Sequence, residues 1–302
     1  MTARSKVLLV GPGAVGGTVA AWLDRAGHDV RLGVRTPVQR LRVETLREVL
    51  ETNLVTVSDP REAAQVDWVL IATKTYDVEG AAAWLRFTAS DTARVAILQN
   101  GVEHVSRFSP FVPVGRLLPV MVDIPAERDA PGQIRQRGQG VMQVPAGTNG
   151  ADFARLFDET DINVTEVDDF TTALWRKLCI NVAGAVPVLA DEPSSIARRD
   201  PGAAVMRALV RECIAVGRAE GAQLDDDVVE AVVRQYRNAP PDSLNSMHAD
   251  RIAGRRMEWD ARNGVVSRLG THHRVATPVS DTVASLLAAI DERVRGQDPI
   301  AN

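Results

Sequence analysis

Cysteine is scarce in this chain of 302 residues: Cys179 and Cys213 are the only two. Each lies inside an apolar-periodic segment and neither stands at a metal-ligand or redox spacing, so both are expected to be reduced core thiols and no metal site is expected. Long blocks of like charge are also missing. The 39 acidic and 35 basic residues leave a formal net charge of −4, which gives no arm for a polyanion and excludes nucleic acid as an expected partner. No apolar stretch is expected to reach the length of a membrane span. Met1 to Lys6 run directly into a strand-like segment, without the charged and apolar regions of a signal peptide. A cytoplasmic protein without a membrane partner is therefore expected. Internal repeats and low-complexity tracts are absent as well, and the polar tail from Gly296 to Asn302 is expected to fray.

What is present is a change of periodicity near residue 168. Val7 to Val10, an amphipathic segment from Ala14 to Ala26, and Val30 to Val34 read as strand, helix and strand. Trp68 to Ala72 and Val95 to Leu98 are continuous apolar runs, the mark of parallel strands covered on both faces. The shorter β-prone pieces Leu117 to Val122, Val141 to Val144 and Ile162 to Val167 predict a distal extension of the same sheet. Beyond residue 168 the pattern is helical, with helices predicted at about 170–190, 201–220, 225–237, 259–269 and 278–294. Asp200 before Pro201 and Thr277 before Pro278 each place a capping side chain ahead of a proline at the first helical position. The predicted fold is an α/β Rossmann-like domain over residues 1–167, followed by an all-α domain over 168–302 that carries substrate and catalysis.

Gly11-Pro12-Gly13-Ala14-Val15-Gly16 follows the first strand and opens the first helix, the context that a dinucleotide fingerprint requires. The first glycine permits the tight turn, the second lets backbone N–H groups approach a pyrophosphate, and the third lets helix and sheet pack closely. The second strand ends in Leu32-Gly33-Val34-Arg35-Thr36, with no carboxylate for a ribose 2′-hydroxyl. Arg35 instead offers a planar cation for a 2′-phosphate, with Thr36 and Arg40 as weaker contributors, so NADP(H) is expected in preference to NAD. Lys74 and Asn100 follow two further strands, at the ends where open α/β sheets bind ligands, although either could be ordinary loop chemistry.

Three N-terminal strings, Gly11 to Gly17, Ala72-Thr73-Lys74 and Gln99-Asn100-Gly101-Val102, resemble the ketopantoate reductase family in order and spacing. In the C-terminal half, Trp175 to Asn181 resembles that family's catalytic-lysine helix. Ser246 to Asp250, continuing through Gly254, Arg255, Glu258 and Asn263, resembles its second signature, and Pro278 closes the series. The resemblance spans nearly the whole chain. It implies a reductase of a small keto acid, 2-dehydropantoate to pantoate, in which Lys177 is the general acid and Glu258 binds the substrate hydroxyl or steers the lysine. Asn181, Ser246 and Asn100 would then bind substrate. Gly11, Gly13, Ala14, Val15, Gly16, Arg35, Lys74 and Asn100 would hold the cofactor. The chemistry is coherent on its own terms, because hydride arriving at a ketone carbon leaves negative charge on oxygen that a positioned ammonium can neutralise and protonate. Lys177 and Asn181 are four residues apart and so share a helix face.

One position departs from the family pattern: Ala185 stands where a second asparagine is common, and Asp191 to Ser195 also lack the usual asparagines. This keeps open a paralogue acting on another 2-keto acid or ketone. A related β-hydroxyacid dehydrogenase would share the glycine fingerprint and a helical lysine, but the Ser246 to Glu258 signature argues against it. A non-catalytic NADP-binding sensor would share the fingerprint alone, and the presence of Lys177 and Glu258 disfavours that reading. Val283 to Ile290 could line a homodimer interface or complete the core, and core burial is the expectation.

Overall fold

The structure, a computed structural model, describes residues 4–88 and 92–296, so the tail beyond Gly296 lies outside the described residues. The chain divides into two compact units, Met1–Phe170 and Thr171–Asn302.

In the first unit, β1 (Lys6–Val10), α1 (Ala14–Arg25) and β2 (Asp29–Gly33) are followed by β3 (Leu41–Glu44), β4 (Val49–Thr52), β5 (Val55–Val57), β6 (Trp68–Ile71), α2 (Val78–Thr88), β7 (Arg94–Ile97), α3 (His104–Phe108) and β8 (Leu117–Pro119). Six of these strands form a parallel sheet in the order β5-β2-β1-β6-β7-β8. Alternation along each strand divides its side chains between two cores. Leu9, Leu32 and Leu70 pack with Val19, Trp22 and Leu23 of α1, whereas Leu8, Val69, Ile71 and Val95 pack with Ala81, Trp84 and Leu85 of α2. Both faces are dry, which is why the strands read as unbroken apolar runs. Each fully buried Leu or Val contributes about 1.5–3 kcal/mol relative to exposure.

The remaining strands do not extend that sheet as the sequence predicts. They are β9 (Met121–Asp123), β10 (Ala126–Ala130), β11 (Gln133–Gln136), β12 (Gly140–Pro145) and β13 (Ile162–Val167), with α4 (Thr148–Arg155) before the last. Only Leu117–Pro119 joins the large sheet. Val120 still donates to the Ile97 carbonyl at 3.1 Å, and beyond it β9 pairs antiparallel with β12, which pairs parallel with β13, as a separate three-stranded sheet. A four-stranded sheet, β10-β11-β3-β4, backs α1, where the Trp22 indole donates to Gln136 Oε1 at 3.0 Å.

The second unit is helical: α5 (Phe170–Ala183), α6 (Ala185–Ala190), α7 (Asp200–Ala219), α8 (Asp227–Asn238), α9 (Ser246–Ile252), α10 (Val265–His273) and α11 (Pro278–Gly296), with a π-turn over Asp260–Gly264 leading into α10. It departs from the sequence expectation at several points. Helix α9 is absent from the predicted set, because seven mostly polar residues give too little periodicity to detect. Asp200 makes no side-chain cap and lies inside α7, which begins after Arg199. Phe170–Ala190 is, contrary to expectation, long and apolar enough to cross a membrane by length and composition, but 67% of that window is buried inside the fold. It is a core helix. In α11, Val283, Ala284 and Leu287 are buried while Leu286 is exposed.

Candidate active site

The cofactor-type residues gather at the C-terminal ends of β1, β2, β6 and β7. Gly11 sits at φ +88°, and a Cβ there would meet Thr73 of the β6 loop at 2.8 Å, so only glycine fits the turn. A methyl at Gly16 would collide with the Gly11 carbonyl and stand 2.9 Å from Ala72 Cβ, which fixes how closely α1 approaches β6. Gly13 differs: nothing lies within 4 Å of the place its Cβ would occupy. The first turn of α1 has no side-chain cap, and N–H groups at a helix start suit an anion. The loops after β6 and β7 are tied together by Gln99, whose amide donates to Thr73 Oγ1 at 3.1 Å and to the Lys74 carbonyl at 3.4 Å. His104 Nε2 lies 2.7 Å from the Gln99 carbonyl. Burial pushes the imidazole down to about 4, so the ring is neutral and Nε2 carries the proton it donates. Lys74 and Asn100 are half-buried on these loops.

Arg35 follows β2 with its side chain 89% exposed, and its guanidinium is 3.8 Å from the Asp77 carboxylate. It stands at the edge of the loop cluster. Arg40, the weaker second cation, is committed to Glu51.

In the second unit, a helix break builds the site. Pro187 cannot donate to the Ala183 carbonyl, and the Gly184 N–H turns to the Asn181 carbonyl at 3.1 Å. The carbonyls around the break are taken by side chains. Tyr236 donates to Ile180 at 3.0 Å, Asn263 to Val182 at 3.1 Å, and Asn245 to Gly184 at 2.9 Å. Lys177 is half-buried one turn before Asn181, which is buried. Asn245 also caps α9 by accepting from the Met247 and His248 N–H groups, which fixes Ser246. Glu258 is buried next to Met257, whose N–H donates to Asp291 at 2.7 Å.

A residue absent from the predicted set, Arg262, joins these parts. It is buried in the π-turn and donates to Ser246 Oγ at 2.9 Å and to Asn181 Oδ1 at 3.0 Å. Arginines are mostly exposed, which hides such a residue in a sequence. Its available signal was proximity to Glu258 and Asn263 within the resembling segment. Ala185 is fully buried and offers no hydrogen bond. In the segment after it, Asp191 is held by His248 Nε2 at 3.1 Å and by Arg251 at 3.5 Å. The His248 hydrogen bond, then the Arg251 charge, keep its carboxyl below the usual range.

A glycine loop that opens a helix at the switch point of a parallel sheet is the geometry of a dinucleotide-binding fold, and this chain also carries a helical unit with convergent buried polar groups. The chain matches the family profiles "Ketopantoate reductase PanE/ApbA" over residues 7–149 and "Ketopantoate reductase PanE/ApbA C terminal" over residues 169–291. It is 50% identical to the 2-dehydropantoate 2-reductase of Caulobacter vibrioides, over 94% of this chain and 99% of that one. It is 43% identical to the 2-dehydropantoate 2-reductase of Mycobacterium tuberculosis, over 95% and 98%. The crystal structure of a PanE/ApbA family ketopantoate reductase from Ralstonia eutropha superposes with a TM-score of 0.89 at 31% identity, covering 96% and 99%. The chain belongs to the ketopantoate reductase family. It is an oxidoreductase acting on the CH–OH group, and its substrate is a small keto acid.

Proposed function

We propose that the chain reduces 2-dehydropantoate to pantoate with NADPH, and that Lys177 is the general acid. The observation that carries this reading is the convergence of Ser246 and of Asn181, which lies one helical turn from Lys177 on α5, on one buried guanidinium. The uncapped first turn of α1 and the open space at Gly13 fit a dinucleotide pyrophosphate, and Arg35 supplies a cation for the 2′-phosphate that distinguishes NADP from NAD. Bound NADPH would supply the hydride. On α5, Lys177 is half-buried and shares a helix face with Asn181, which suits it to meet the same ligand.

The chain's own residues then handle charge and position. Asn181 and Ser246 hold the keto acid, with Asn100 as a further contact. The Lys177 ammonium stabilises the negative charge that develops on the former carbonyl oxygen and gives it a proton. Glu258 binds the substrate's hydroxyl or orients the ammonium. The absence of a hydrogen-bonding group at Ala185 favours testing other 2-keto acids alongside.

The test is loss of the reduced-nicotinamide absorbance with 2-dehydropantoate and a panel of other 2-keto acids. Turnover of 2-dehydropantoate above the rest supports the proposal. Preference for another acid reassigns the substrate, and no turnover with any, despite cofactor binding, contradicts the enzymatic reading.

A further inference from the structure

Arginine has five N–H donors and no acceptor. A side chain that takes a hydrogen bond from it must present an acceptor, and the remainder of that side chain is thereby committed. Asn181 meets Arg262 through Oδ1 at 3.0 Å, so its amide NH2 is turned away from the guanidinium. Ser246 meets it through Oγ at 2.9 Å, which leaves the hydroxyl proton for another acceptor. An amide and a hydroxyl can ordinarily play either role, and here both are fixed as donors. Neither partner carries charge, Nε of Arg262 is buried without a partner, and no ion pair forms at this guanidinium among the described residues. The residue is only 4% exposed. A desolvated cation with neutral neighbours is costly unless an anion completes it.

We infer that Arg262 is a positioning and specificity-determining residue, which locks Asn181 and Ser246 as paired donors and supplies the positive field that makes this site select an anionic, carboxylate-bearing ligand over its neutral counterpart. The inference rests on the keto-acid reading above and names the device that reads the acid.

The experiment compares calorimetric affinity for 2-dehydropantoate and for its neutral primary amide, at saturating NADP, in the native chain, Arg262→Met and Arg262→Lys. The native chain is expected to favour the acid by about tenfold or more. Arg262→Met, similar in length and uncharged, is expected to lose about tenfold or more on the acid and several-fold less on the amide, so that the preference for the acid shrinks. In turnover, KM for the acid rises while kcat stays within about threefold. Arg262→Lys retains charge without the two-point geometry and should fall between. A parallel loss on acid and amide, or an unchanged acid affinity, overturns the inference. Should Arg262→Met fail to fold, the native acid-to-amide ratio and Arg262→Lys decide it. A native chain that prefers the acid but turns over no keto acid would defeat the proposed function and leave this inference standing. A native chain that binds both alike defeats the inference whatever it turns over.

Discussion

At the scale of single residues, a few groups carry effects that can be measured separately. His104 is neutral and buried in the fold at a value of about 4, but titrates near 6.5 when unfolded. Between those values the unfolded chain binds the proton and the folded chain does not, so stability falls as pH drops from about 6.5 towards 4, by on the order of 3 kcal/mol in total. Denaturant midpoints of native protein and His104→Phe across this range should show a slope in the former that is reduced in the latter. Gly16→Ala is expected to destabilise the first unit by about 1–3 kcal/mol through the collision with Gly11 and Ala72, read as a lowered melting temperature with weakened NADPH binding. Arg35→Ala should weaken NADPH about tenfold or more while leaving NADH within a few-fold, as measured by nicotinamide fluorescence; an equal loss for both would remove Arg35 from phosphate recognition. The glycines were legible because their constraint is local, a turn and a close contact within a few residues. Arg262 was not, because its importance lies in meeting Asn181 and Ser246, 81 and 16 residues away.

At the scale of elements, periodicity located the long buried helices and the doubly covered strands, whose signal comes from many side chains at once. It failed at sheet membership and at a helix break, which many-residue periodicity does not report. After β8 the chain leaves the large sheet and its next strands form other sheets, and the break around Gly184 and Pro187 splits one apolar run into α5 and α6. Helix termini show a related limit. The first turn of α11 is satisfied by Glu212 of α7, whose carboxylate accepts from the Val279 N–H at 2.9 Å and the Ser280 N–H at 2.7 Å. Thr277, the sequence's candidate cap, instead donates its hydroxyl to Asp281 at 3.0 Å. No local reading finds a cap that comes from 67 residues away. Glu212→Ala is therefore expected to cost about 0.5–2 kcal/mol, seen as a lower thermal midpoint and faster amide exchange at the start of α11, whereas Thr277→Val should cost less.

At the scale of the whole molecule, the fold assigns nucleotide-type geometry to one unit and the buried polar network to the other, and the proposed chemistry requires both sets of residues. The central claim is that Lys177 supplies the proton that follows hydride transfer. The most direct measurement is the steady-state reduction of 2-dehydropantoate by native protein and Lys177→Ala, with NADPH affinity measured in parallel. A fall in kcat of about 10²–10⁴-fold, at an NADPH affinity unchanged within about threefold, is the predicted result. A Lys177→Ala enzyme that retains kcat within about threefold of native would contradict the account.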